Sequence, residues 1–212
     1  MKRNLAQWLL VAGLSLAFIG AYVALRNFHS PAPALPPSGK LPSATLLNDE
    51  QPLPPFSFVR QGGALTNADL MGHWTLMFFG YTFCPDICPT SLAALKDFKA
   101  RLQANGTTPP QVVFVSVDPA RDTPERMASF VAFFDPAFIG ATGDDAALAP
   151  LAKNLGVHYQ RLNGTDKEHY VVDHSAGIYL IDPQGRLKAM FSWPHDAAAM
   201  AWDYPTIIRS GR

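Results

Sequence analysis

Apolar positions along this chain fall into blocks of unequal length, and the first is the longest. From Leu5 to Ala24 the sequence is uncharged and polar only at Gln7 and Ser15, with Lys2 and Arg3 before it and Arg26 after it. About 20 apolar residues rising 1.5 Å each match a hydrocarbon core of roughly 30 Å, which predicts one N-terminal transmembrane helix. The apolar core of a cleaved signal peptide is shorter, about 7–15 residues. The only small-x-small site nearby, Ala32-Pro33-Ala34, lies too far downstream and contains a proline. Residues 1–26 are therefore expected to be an uncleaved membrane anchor with a short cytoplasmic start. Lys2, Arg3 and the amino terminus outweigh Arg26, so the positive-inside bias sends the rest of the chain across the membrane. No Arg- and Ser-rich transit segment precedes the helix, so the expected location is a bacterial inner membrane with the soluble domain in the periplasm.

Eight of the 19 prolines fall between Pro31 and Pro55. Such a stretch holds no helix, and residues 27–55 are expected to be a semi-extended spacer. The folded domain is expected over residues 56–195. Trp74 to Phe79 is a continuous apolar run, the pattern of a strand buried on both faces. Leu92, Leu95, Phe98 and Leu102 then share one helical face that stops at Asn105-Gly106. Val112 to Val117 reads as a second buried strand. Thr123 as N-cap and Pro124 at the first helical position open another helix, ended before Asp135-Pro136. Phe138 to Ala141 reads as a short strand. Ala147, Leu148, Leu151 and Leu155 mark a third helix, capped by Asp144 or Asp145 and closed by Gly156. A hairpin follows: Gly177 to Ile181, the turn Asp182-Pro183-Gln184-Gly185, and Arg186 to Phe191. This order predicts an α/β domain with a mixed central sheet, and the closing antiparallel pair points towards a thioredoxin-like arrangement. Residues 196–212 receive no assigned role.

Charge narrows the functional classes. The 17 basic and 17 acidic residues balance; removing Lys2, Arg3 and Arg26 leaves 14 against 17, a mildly acidic exported part. A nucleic-acid binder would need a basic surplus. No nucleic-acid partner is expected.

The chemistry concentrates at Cys84 and Cys88, the two cysteines of the chain. Four positions apart, they cannot staple a domain together, and they sit between the first buried strand and the first long helix. Ligands of open α/β sheets bind beyond the carboxyl ends of strands, and a helix N-terminus there favours thiolate. Two cysteines flanked by Pro85 and Pro89 at such a junction argue against a pair of plain core residues. Three functions remain: a reversible disulfide, a metal site, or a peroxide-reducing thiol. The approach to Cys84 lacks the Pro-x-x-x-Thr-x-x-Cys pattern of peroxiredoxins. A gap of three residues, one more than in the widespread thiol–disulfide motif, leaves room for both sulfurs to face one ion. Two thiolates suit Cu(I), and an imidazole would complete a site that also tolerates Cu(II). Six histidines are available. His29 lies in the spacer, His73 precedes a strand, His158 and His169 lie in a polar stretch and His195 near the end. His174 sits just before a predicted strand, but no spacing rule links it to Cys88.

Three ordered blocks then resemble the Sco/SenC family, the copper-binding assembly proteins of cytochrome c oxidase. They are Gly80-Tyr81-Thr82-Phe83-Cys84-Pro85-Asp86-Ile87-Cys88-Pro89, Val115-Ser116-Val117-Asp118-Pro119-Ala120-Arg121-Asp122-Thr123-Pro124-Glu125, and Asp173-His174-Ser175. The resemblance runs from about Phe56 to Phe191. It implies a thioredoxin-like fold and one copper ion, Cu(I), Cu(II) or both, bound through Cys84, Cys88 and His174. It also implies a metallochaperone that delivers copper to the centre in oxidase subunit II, or a thiol–disulfide oxidoreductase that uses Cys84 and Cys88 as redox thiols to reduce that centre's cysteines. Subunit II is the expected partner, with an upstream copper donor or thiol reductant besides. Thioredoxin-type oxidoreductases resemble one another in a cis-proline before the strand facing the motif; here no proline lies between Pro150 and Pro183, and His174 is expected near that place. Asp118, Arg121 and Asp122 are expected as turn and capping groups, and Asp86 and Asp173 either as carboxylates beside the ligands or as solvated ones. Trp193, His195, Asp196 and Trp202 do not resemble the family pattern and are given no role.

Overall fold

A computed structural model describes residues 41–47, 51–162 and 170–210. The expected anchor, His29 and His169 lie outside them. Among the described residues no helix is long and apolar enough to cross a membrane. In chain order the elements are β1 (Ala44–Leu46), β2 (Ser57–Arg60), β3 (Gly63–Thr66), a 3-10 turn (Asn67–Asp69), β4 (Thr75–Gly80), α1 (Ile87–Ala104), β5 (Gln111–Ser116), α2 (Pro124–Ala132), β6 (Ile139–Thr142), α3 (Asp145–Leu155), β7 (Tyr159–Arg161), β8 (Val172–His174), β9 (Ile178–Ile181), β10 (Leu187–Phe191) and α4 (Ala197–Ser210).

Eight strands form one mixed sheet in the order β1-β10-β9-β4-β5-β6-β2-β3, and β7 and β8 form a separate two-stranded ribbon. β4 lies at the centre, parallel to β5 and antiparallel to β9. Its side chains alternate between faces, as a pleated strand requires. Leu76 and Phe78 pack with α1, α2 and α4, while Met77 and Phe79 pack with α3 and the β2–β3 hairpin. Both faces are covered, which is why the run from Thr75 to Gly80 is apolar throughout. The predicted stripe of α1 is buried at Leu92, Leu95, Phe98 and Leu102, each contributing about 1.5–3 kcal/mol by leaving water. The predicted caps also form. Thr123 accepts from the Arg126 amide ahead of α2, Asp144 accepts from the Ala147 amide ahead of α3, and Gly156 closes α3 in the left-handed region at φ +69°.

Four features depart from the sequence expectations. Residues 44–46, placed in the spacer, form β1 against β10, and Leu53 is buried in the core. Asp203 fixes that entry, because its Oδ2 accepts from the amides of Ser43 and Ala44 at 2.8 and 2.9 Å and from the Ser43 hydroxyl at 2.8 Å. The β2–β3 hairpin was not expected; it turns at Gly62, whose φ of +85° suits a residue without Cβ. Residues 197–210 form α4, with Met200, Tyr204 and Ile207 buried against α1 and the sheet. His174 ends β8 in the ribbon rather than leading straight into the main sheet.

Candidate metal centre

The centre forms where three chain segments meet beyond the carboxyl end of β4. Gly80 ends that strand beside Ser116, the last residue of β5, so the loops after both strands open on the same side. β9 runs antiparallel to β4 and places Ile178 opposite Phe78. The chain ahead of β9, which carries His174, thereby arrives at the same edge.

In the first loop the Cys84 amide donates to the Tyr81 carbonyl at 3.2 Å. The turn places Cys84 Sγ ahead of α1, where it accepts the Cys88 amide at 3.4 Å. A sulfur in that position receives a first-turn N–H that the helix leaves unpaired and sits at the positive end of its dipole. Cys84 is half-buried, Cys88 is fully buried, and both are free thiols. The two titrate very differently. The Cys88 side chain, hydrogen-bonded to Cys84, is the main cause that brings the Cys84 thiol down to about 4 against the burial that raises it; the backbone amides of Cys88 and Asp86 add to the lowering. Burial and the neighbouring Cys84 push the Cys88 thiol up. At neutral pH the pair is one thiolate and one thiol.

His174 Nε2 lies 3.5 Å from Cys88 Sγ. Its Nδ1 is 3.0 Å from the Ser175 carbonyl oxygen, which can only accept, so Nδ1 carries the hydrogen and the lone pair of the neutral ring sits on Nε2, facing the sulfurs. The ring is held edge-on by Tyr81 at 5.8 Å and by Phe78 at 6.4 Å. The donor atoms of Cys84, Cys88 and His174 all lie within 4.8 Å of one another. Metal–sulfur and metal–nitrogen bonds of about 2.3 and 2.0 Å in a trigonal site require donor spacings of roughly 3.7–4.0 Å, so the three groups suit a soft first-row ion after small adjustments.

The second sequence block braces this arrangement. Asp122, expected as a turn or capping group, instead accepts from the Thr82 amide at 3.1 Å, the Thr82 hydroxyl at 2.6 Å and the Ser116 hydroxyl at 2.6 Å. Asp118 pairs with Arg121 and accepts from the Tyr170 hydroxyl. Arg121 donates to the Tyr170 carbonyl at 3.0 Å and stacks on the Tyr170 and Phe83 rings at 3.5 and 4.7 Å. Tyr81 accepts the Val172 amide at 3.3 Å. The cysteine loop, the loop after β5 and the histidine strand are thus fastened together. Tyr81, Tyr170 and the bracing role of Arg121 carry no local signal in the sequence, because their partners are 49 to 91 positions away. Of the other histidines, His73 and His158 lie outside this group of donors.

Comparison with known proteins agrees with this geometry. A profile of the SCO1/SenC family matches residues 45–209. The chain is 40% identical over 141 residues to the SCO2-like protein of Rickettsia prowazekii, covering 65% of this chain and 67% of that one. It is 42% identical over 126 residues to the human mitochondrial SCO2 homologue, covering 59% of this chain and 47% of the relative, so it spans about half the length of that protein. Among solved structures, Arabidopsis thaliana ScoI with copper bound is 34% identical with a TM-score of 0.71, over 76% of this chain and 99% of that one. Bradyrhizobium japonicum ScoI with copper bound is 36% identical with a TM-score of 0.63, over 74% and 99%. The shared architecture is the thioredoxin-like mixed α/β fold. With the profile running from β1 into α4, across the cysteine loop and the histidine strand alike, the chain belongs to the SCO1/SenC family.

Proposed function

We propose that this chain is a copper carrier that holds one ion through Cys84, Cys88 and His174 and hands it to the copper centre of cytochrome c oxidase subunit II during assembly. The observation that carries this reading is the approach of two sulfurs and one imidazole nitrogen to within 4.8 Å of one another. The relatives crystallised with copper support it. Residues 1–26 anchor the carrier in a bacterial inner membrane, a proline-rich spacer follows, and the domain works in the periplasm.

The unequal cysteines suit transfer. Cys84 is already ionised and partly open to solvent, whereas Cys88 is buried and gives up a proton as it becomes a ligand. A partner thiolate can therefore approach on the Cys84 side and add before any donor leaves. Anaerobic copper loading followed by X-ray absorption tests this, with two sulfur and one nitrogen neighbours expected. Wild-type copper affinity in Cys84→Ala or His174→Ala would overturn the assignment.

A second reading, a thiol–disulfide reductase that keeps the partner's cysteines reduced, draws on the same inequality. The Cys84 thiolate attacks a partner disulfide, forms a mixed disulfide and releases one partner thiolate. Cys88 then loses its proton and attacks Cys84 Sγ, releasing the second partner thiol and leaving a Cys84–Cys88 disulfide, a balanced two-electron exchange. Turnover of a disulfide substrate by copper-free His174→Ala at the wild-type rate favours this reading; loss of copper transfer in the same variant with no reductase activity in either protein favours the first.

A further inference from the structure

His195 lies between β10 and α4, and nothing in the proposed copper chemistry uses it. Its Nδ1 shares a 3.0 Å hydrogen bond with the hydroxyl of Ser91, a fully buried residue of α1. Ser91 stands three residues after Cys88, so the two side chains share one face of the helix. The imidazole also lies edge-on to the Phe78 ring at 6.2 Å, and the same ring meets His174 at 6.4 Å. The carbonyls of Phe191 and Ala176 face the imidazole, and Ala176 lies two residues beyond His174. Trp193 stacks edge-on against it at 5.6 Å. Nε2 is buried and has no hydrogen-bond partner among the described residues.

An imidazole is a poor filler for such a place. Burial brings its pKa down to about 4, so it stays neutral, and although the Phe191 and Ala176 carbonyls lie near, Nε2 makes no well-aligned hydrogen bond among the described residues. A leucine facing an alanine at position 91 would avoid both penalties without stranding the Ser91 hydroxyl. What the imidazole adds is a directed bond to the helix that carries Cys88, made from a ring that also abuts the segment carrying His174. That segment depends on side chains for its position, because as a strand β8 pairs with β7 alone among the described residues.

We propose that His195 is a positioning residue of the metal centre: the Ser91–His195 hydrogen bond and the shared Phe78 ring set the distance between the α1 turn of Cys88 and the strand of His174. This rests on Cys84, Cys88 and His174 being the copper ligands.

The test compares full-length wild type with His195→Leu, His195→Asn, Ser91→Ala and the Ser91→Ala/His195→Leu double variant. Copper affinity, the sulfur-to-Cu(II) charge-transfer band, and, in copper-free protein, the melting midpoint and amide exchange of residues 172–178 are read for each. His195→Leu is expected to weaken copper binding about tenfold, shift the band and speed exchange in 172–178, while the double variant, which also removes the stranded hydroxyl, keeps or raises the midpoint. Ser91→Ala should act in the same direction, and the double variant should be no worse than His195→Leu, because both remove one bond. His195→Asn places an amide where Nδ1 was and should restore most of the affinity. Wild-type affinity, band and exchange in His195→Leu, or an additive double variant, would overturn the proposal. Should His195→Leu fail to fold, Ser91→Ala decides, and wild-type behaviour there sinks the idea. Failure of the ligand assignment looks different: wild-type protein then shows no copper–sulfur neighbours, while the exchange difference in copper-free protein persists.

Discussion

Thr82 gives both its amide and its hydroxyl to Asp122, 40 residues further along, and so fastens the loop before Cys84 to the loop after β5. Burial raises the Asp122 carboxyl, while the Ser116 and Thr82 donors favour its ionised form. Replacing Asp122 by alanine strands these donors. The expected loss is about 2–3 kcal/mol, or a fall in melting midpoint of about 5–10 °C, with weaker copper binding alongside. Asp122→Asn keeps one acceptor oxygen and should lose less. Calorimetry and a copper competition assay on both variants check this; unchanged values in Asp122→Ala refute it.

The two thiols should react as differently as their surroundings suggest. Cys84 is expected to be alkylated by iodoacetamide at a rate nearly flat from pH 8 to 6 and falling only towards pH 4, whereas a free cysteine slows tenfold per unit below about pH 8.5. Cys88 should stay protected throughout. The stability signs follow. Cys84, lowered on folding, contributes stability present above its unfolded pKa and lost as pH falls through about 4. Cys88, raised on folding, contributes stability present below its unfolded pKa and lost as pH rises beyond it. Peptide mapping by mass spectrometry reads the reactivity, and equal labelling of both cysteines defeats the prediction.

Copper uptake at about pH 8 should release one proton from the cysteine pair, from Cys88, since Cys84 is already ionised. Affinity is then expected to climb about tenfold per pH unit between about pH 7.5 and 8.5. Calorimetric titration in buffers of different ionisation enthalpy counts that proton. A count near two would mean that Cys84 is not the thiolate described.

Gly80 allows α1 to approach β4. A Cβ there would lie 2.5 Å from Cys88 Sγ and 2.7 Å from Phe114 Cε2, inside contact distance of both. Gly80→Ala should therefore cost about 1–3 kcal/mol and displace the Cys88 sulfur, shifting the copper–sulfur band. Denaturant melts and the visible spectrum of the Cu(II)-loaded variant measure the two effects. A variant with wild-type stability and spectrum would show that the junction has slack.

Much of the core was legible because its periodicity is local. The α1 stripe through Leu92 and Leu102, the N-cap at Thr123 and the Gly156 stop each depend on residues a few positions apart. α4 escaped notice although Met200, Tyr204 and Ile207 recur at helical spacing, because Asp203 and Pro205 interrupt the pattern. Asp203 makes sense only once Ser43 is seen against it, 160 positions away. Cys84 and Cys88 declared themselves by proximity at a strand-to-helix junction. His174 did not, and the family resemblance supplied it; the antiparallel pairing of β9 with β4 explains why it arrives. His195 carries no motif at all, and its bond to Ser91 spans 104 positions.

The histidine strand has one further consequence. β4 is zipped between two neighbours, but β8 has three paired positions with β7 and none with the main sheet. Backbone hydrogen bonds in so short a ribbon open at a small fraction of the cost of melting the domain. Once the Tyr81 and Arg121 bonds to Val172 and Tyr170 also give way, the imidazole can peel away from the sulfurs while the helix bearing Cys88 stays in register, so the grip can loosen one finger at a time.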